Sequence, residues 1–109
     1  MVKIIYGITR KEGMSVEEFQ RYWRETHGPI AARIPGVRRY VQNHAVATVG
    51  DGPYPPTYDG AAELWFDDVE SFRKAMTTPE YQAAQEDERN FIDHGRIFVI
   101  IAEEKPVVE

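Results

Sequence analysis

Apolar positions recur along this chain at two spacings, and the changes between them mark its elements. Residues 2–10 (VKIIYGITR) are rich in β-branched and aromatic side chains with no breaker before Gly7, which predicts a strand. Lys11-Glu12-Gly13-Met14 is a polar turn, and Ser15-Val16-Glu17-Glu18 is a capping box that opens a helix. Phe19, Trp23 and Ile30, with Tyr22 and Thr26 beside them, form an apolar stripe at helical period. His27-Gly28-Pro29 interrupts it: Gly28 suits a helix end, and Pro29 suits the first position of a short second helix over 29–34. Pro35-Gly36 closes that piece with a turn.

Residues 37–49 (VRRYVQNHAVATV) then read as a long strand. Tyr40, Gln42, His44 and Val46 fall on one face, and Arg39, Val41, Asn43 and Ala45 on the other. The segment 50–57 (GDGPYPPT) is a loop by its glycines and prolines. Residues 58–66 (YDGAAELWF) form the next strand, pairing antiparallel with the one before. Asp67-Asp68-Val69-Glu70 looks like a second cap, with Val69, Phe72 and Ala75 or Met76 as its apolar face. Thr78 and Pro79 restart the helix, on which Tyr81, Ala84, Glu88 and Phe91 share a side. Asp93-His94-Gly95 ends it, and 96–102 (RIFVIIA) is a final, almost wholly apolar strand. The order β-α-β-β-α-β is the ferredoxin-like motif: an α+β fold with one four-stranded antiparallel sheet and helices on one face. Val99 and Ile101 lie on one face of the last strand and Phe98 and Ile100 on the other, so both faces call for cover. A second copy of the chain, in a homodimer, is the economical cover for the bare side.

The chain of 109 residues is read as one domain, 1–109, without repeats. A net charge of −5 disfavours nucleic-acid and membrane-surface binding. Arg33, Arg38 and Arg39 form the only local basic cluster, too small for a nucleic-acid stripe. The absence of cysteine removes thiolate chemistry and Cys-bound metals and fits a cytoplasmic location. No apolar run reaches membrane-spanning length.

The segments Met14-Ser15-Val16-Glu17-Glu18-Phe19, Tyr22-Trp23…His27-Gly28-Pro29, Arg39-Tyr40…Asn43-His44 and Glu63-Leu64-Trp65-Phe66, then Pro79-Glu80 and Asp87-Glu88…Phe91, resemble the EthD family of dimeric α+β barrel proteins. The resemblance covers nearly the whole chain. It implies the dimeric barrel and a pocket between sheet and helices. It implies function more loosely, since the wider superfamily holds cofactor-free monooxygenases, cyclases, isomerases, haem-using peroxidases and plain ligand binders.

Three histidines carry the candidate chemistry. His27 is a general acid or base by type, or a cation that offsets a helix C-terminus. His44 shares its strand face with Tyr40 and Gln42, a polar row that calls for a ligand, solvent or a partner subunit. His94 reads as part of a helix exit. Tyr6, Trp23, Tyr40, Trp65, Tyr81 and Phe91 offer an aromatic wall suited to a small hydrophobic or aromatic ligand. Among Glu86, Asp87, Glu88 and Asp93, an inward carboxylate would orient His27 or His44, and spacing leaves open which one does. The expected catalytic residues are His27, His44 and Tyr40, with Tyr6, Trp23, Gln42, Trp65, Asp87 and Phe91 binding substrate. Neither a zinc motif nor a nucleophile-elbow motif is present. The expected activity is cofactor-free, metal-free proton transfer on a cyclic or aromatic metabolite. Tyr40 would hydrogen-bond a developing oxyanion and the 50–57 loop would form a rim. The alternative is a protein that only binds a hydrophobic ligand or haem.

Overall fold

The computed structural model describes residues 1–47 and 58–108. The expected 50–57 loop, and Thr48 and Val49 of the expected second strand, lie outside the described residues. The four strands are β1 (Val2–Ile8), β2 (Arg39–His44), β3 (Gly60–Phe66) and β4 (Phe98–Ala102). They form one antiparallel sheet in the order β2-β3-β1-β4. The fold is the ferredoxin-like α+β arrangement.

Each strand is shorter than its apolar run. β1 stops at Ile8, and Arg10 makes an isolated bridge to Ile92. β2 ends at His44, β3 begins at Gly60, and β4 begins at Phe98.

Register decides which side chains face the helices. Ile4 pairs with Leu64 and Ile101, and Tyr6 with Ala62 and Val99, so these residues share one face. Tyr40 and Gln42 join it opposite Leu64 and Ala62. Two packed clusters lie between this face and the helices. One joins Ile4 and Phe66 to Ala31, Ile34, Phe72 and Ala84, and the other joins Ile8 and Ala62 to Phe19, Trp23 and Phe91.

The helices begin where local chemistry places them. Ser15 Oγ accepts from the Glu18 amide to start α1 (Val16–Tyr22). Asp68 accepts from Ser71 N to start α3 (Val69–Ala75), and Thr78 accepts from Tyr81 N to start α4 (Pro79–Asp87). Such a cap contributes about 1 kcal/mol.

The expected break at His27-Gly28 does not occur. The chain instead runs from α1 through a π-helical turn (Trp23–His27) into α2 (Gly28–Ala31), and Gly28 is helical at φ −50 and ψ −53. Pro29 would clash with the preceding turn of a regular α-helix, and the wider turn admits it. Gly28 serves close approach: a Cβ there would lie 3.3 Å from the Gln42 amide nitrogen. That amide donates to the Trp23 carbonyl at 2.8 Å, and the Gly28 N–H bonds the same carbonyl. In an α-helix, residues four apart drift by about 40° around the axis. The π turn opposes this drift and keeps Phe19, Trp23 and His27 facing inward; all three are buried. His27 is therefore not at a helix C-terminus.

The opposite sheet face carries Ile5, Val41, Trp65, Phe98 and Ile100 among polar neighbours. Apolar residues of β4 are half exposed in the single chain, with Val99 at 55% and Ile100 and Ile101 at 50% each.

Candidate active site

The π turn delivers His27 to the wall of a cavity of about 430 Å³ between sheet and helices. Ile4, Leu64 and Phe66 from the sheet, and Ile34, Phe72 and Ala84 from the helical layer, make its walls apolar. Its size falls in the range of small-molecule sites. Its polar lining is His27, Tyr6, Tyr81, Glu88 and His94, with the exposed residues Gln85 and Arg89.

His27 Nδ1 lies 2.9 Å from Asp87 Oδ2, and both side chains are largely buried. Asp87 Oδ1 accepts from Tyr22 Oη at 2.6 Å and from Asn90 Nδ2 at 3.1 Å. Burial pushes the Asp87 carboxyl up, but donation from Tyr22, His27 and Asn90 outweighs it and leaves the group below its ordinary value. An ionised Asp87 accepts only, so neutral His27 carries its proton on Nδ1. His27 Nε2 has no hydrogen-bond partner among the described residues. Among the described residues no buried side-chain nitrogen or oxygen lacks one, so Nε2 meets open space, and the space His27 lines is the cavity. The Phe91 ring supports the imidazole from behind at 4.7 Å between centroids.

A second polar cluster stands in the same cavity. Glu88 Oε1 accepts from Tyr6 Oη at 2.9 Å and lies 3.0 Å from His94 Nε2. Burial, then the Glu88 charge, holds the Tyr6 and Tyr81 phenols above their ordinary range, so both are neutral proton donors.

The structure divides the residues singled out from sequence. Tyr6 and His27 line the cavity, and Asp87 stands behind His27. Trp23 and Phe91 are buried core residues beside it rather than lining it. Tyr40, Gln42 and His44 are on the helix-facing side of β2 but do not line the cavity. Gln42 ties the row together: its amide donates to Tyr40 Oη and its carbonyl meets His44 Nε2. His44 stacks on Trp23 at 4.4 Å and borders an open surface hollow with Arg21, Arg24 and Glu25. His27, His44 and Tyr40 were all expected to be catalytic, and the structure puts His44 and Tyr40 outside the cavity that His27 lines. Trp65, expected to bind substrate, also lies outside this cavity. Leu64 and Phe66 face inward, so Trp65 faces the outer side, where Lys3 and Arg39 lie 5.1 Å and 4.6 Å from its ring. Asp93 Oδ1 accepts from the Gly95 N–H at 2.9 Å.

The apolar stripe puts Glu88 among the carboxylates expected to orient His27 or His44, and its partners are instead Tyr6 and His94, a residue expected only at a helix exit. The helical stripe through Tyr81, Ala84 and Glu88 was the available signal for both, because a carboxylate on an apolar face needs donors.

Burial, then the nearby Arg24 charge, lowers the His44 pKa below its ordinary 6.5. The unfolded chain therefore takes up this proton first on acidification. The stability His44 contributes is complete above about pH 6.5 and is lost as pH falls through the folded-state pKa. His44→Phe, which keeps a ring against Trp23, is expected to show a shallower fall of Tm between pH 7 and pH 5. An unchanged slope would remove His44 as the source.

An EthD domain profile matches residues 11–95 of this chain. The chain belongs to the EthD family. An EthD family protein from Bacillus halodurans C-125 is 28% identical and superimposes with a TM-score of 0.78 over 96% of this chain and 99% of that one. A dimeric protein of unknown function with a ferredoxin-like fold, from Bacteroides fragilis, is 20% identical with a TM-score of 0.67 over 94% and 95%. SnoaB, a cofactor-independent oxygenase from Streptomyces nogalater, is 16% identical with a TM-score of 0.61 over 98% and 95%. The last two likenesses show the shared fold. Among the described residues of this EthD protein, no helix is long and apolar enough to cross a membrane.

Proposed function

We propose that this EthD protein is a cofactor-free enzyme that moves a proton on a small cyclic or aromatic metabolite, with His27 as the base. One observation carries the reading: His27 is bonded to a buried carboxylate through Nδ1 while Nε2 opens into an apolar cavity. A histidine held this way takes a proton through Nε2, and Asp87 stabilises the imidazolium that forms. The substrate proton would be an acidic C–H beside a carbonyl, or a ring O–H. The anion left behind is then reprotonated at another atom, adds to a carbonyl of the same molecule to close a ring, or is oxidised by dioxygen. The description of SnoaB as a cofactor-independent oxygenase supports the last of these fates on this fold. A protein that only stores a hydrophobic ligand needs the apolar walls but not a carboxylate-oriented histidine. The test is exchange of the α-hydrogens of an aromatic cyclic ketone, 1-tetralone, for deuterium in D2O. Acceleration by the protein is expected, and no acceleration by wild-type protein would count against the reading.

The same proposal includes a homodimer through the outer sheet face, where Ile5 pairs with Ile100. The dimeric B. fragilis neighbour supports it. Light scattering is expected to give twice the chain mass for wild-type protein, and the chain mass for Ile100→Glu. A monomeric wild type would contradict this.

A further inference from the structure

Glu88 offers more than a structural contact. Both of its donors, Tyr6 Oη and His94 Nε2, meet the same oxygen, Oε1. Among the described residues Oε2 has no partner, and since no buried side-chain oxygen among them is left unpaired, it is open to space. The cavity lined by Glu88 also receives His27 Nε2. We infer that Glu88 Oε2 is a substrate-binding acceptor, and that the substrate is a hydroxylated aromatic whose O–H it receives while His27 acts elsewhere on the molecule.

The inference rests on the proposed function for the role of His27, but the binding claim stands on Glu88 alone. A carboxylate only accepts, so its complement must be a donor. A hydroxyl meets this need and an ether or ketone does not. An acceptor facing an unpaired acceptor in an apolar site is costly, which makes such a site reject the analogue that lacks the donor. The aromatic rings of Phe66 and Phe72 in the lining suit a ring system better than a chain. Tyr6 and His94 fix the rotamer of Glu88, so Oε2 is aimed before the ligand arrives.

Glu88→Gln has a defined consequence. Tyr6 Oη donates at the Oε1 position, so the Gln carbonyl is expected there and its NH2 group in the place of Oε2. The cavity then presents a donor instead of an acceptor. The experiment uses fluorescence titration of the full chain with 2-naphthol and 2-methoxynaphthalene. Wild-type protein is expected to bind 2-naphthol about ten-fold or more tightly than its methyl ether. Glu88→Gln is expected to abolish or reverse that preference, and His27→Gln to keep it. Equal affinity of wild type for the two probes, which needs no variant to measure, would overturn the inference. So would an unchanged preference in a folded Glu88→Gln protein. Loss of exchange chemistry with the naphthol preference intact would fail the proposed function and leave this subsite standing.

Discussion

His27→Gln is expected to slow deuterium exchange of 1-tetralone by about 10²–10⁴-fold, the range of a lost general base. Asp87→Asn should cost nearly as much, although Asp87 never touches substrate. Tyr22 and Asn90 both donate to Asp87 Oδ1, so an asparagine at this position must put its carbonyl oxygen there. Its NH2 group then faces His27 Nδ1, where Oδ2 stood. Nδ1 becomes the acceptor, the proton moves to Nε2, and the nitrogen in the cavity can no longer take one from substrate. The fold should survive, because Asn replaces Asp with nearly the same shape. Unimpaired exchange in both variants, each folded by circular dichroism, would remove His27 as the base. His44→Phe is the control. His44 borders a different hollow, so its loss should leave exchange within a factor of about two, with stability rather than chemistry affected.

Trp23→Ala is expected to destabilise the chain by about 3–5 kcal/mol, the range for an aromatic removed from a core. Trp23 is 1% exposed and packs in one core cluster with Ile8, Phe19, Ala62, Phe91 and Ile92. It packs against Phe19 and stacks on His44. Its indole also lies over Gly60, where a Cβ would come within 2.5 Å of the ring. Truncation leaves a cavity beneath the π turn, so the position of His27 should loosen with it. Chemical denaturation measures the loss. A change below about 1 kcal/mol would show that the π turn does not depend on this packing.

What the chain order announced and what it hid follow one division. Caps at Ser15, Asp68 and Thr78 were legible because the cap and the amide it satisfies are three residues apart. Strand faces were legible from alternation, and alternation alone would have put Trp65 outside, since Leu64 and Phe66 belong inside. Gly28-Pro29 misled because its local meaning is a stop. The contact that turns it into a continuing helix comes from Gln42, in another element. The partner of His27 was hidden among four carboxylates, and nothing in their spacing marks Asp87 as the one that Tyr22 and Asn90 hold in place. His44 and Tyr40 share the strand face that builds the core, but the helix carrying Trp23 fills the space above them.

The proton on the His27 ring is the quantity on which the chemistry turns. Nitrogen-15 NMR of the neutral imidazole at alkaline pH reads it without any substrate. Wild-type protein should show hydrogen on Nδ1 and a bare Nε2, and Asp87→Asn should show the reverse. Hydrogen on Nε2 in the wild type, or the same tautomer in both proteins, would contradict a base aimed into the cavity by Asp87.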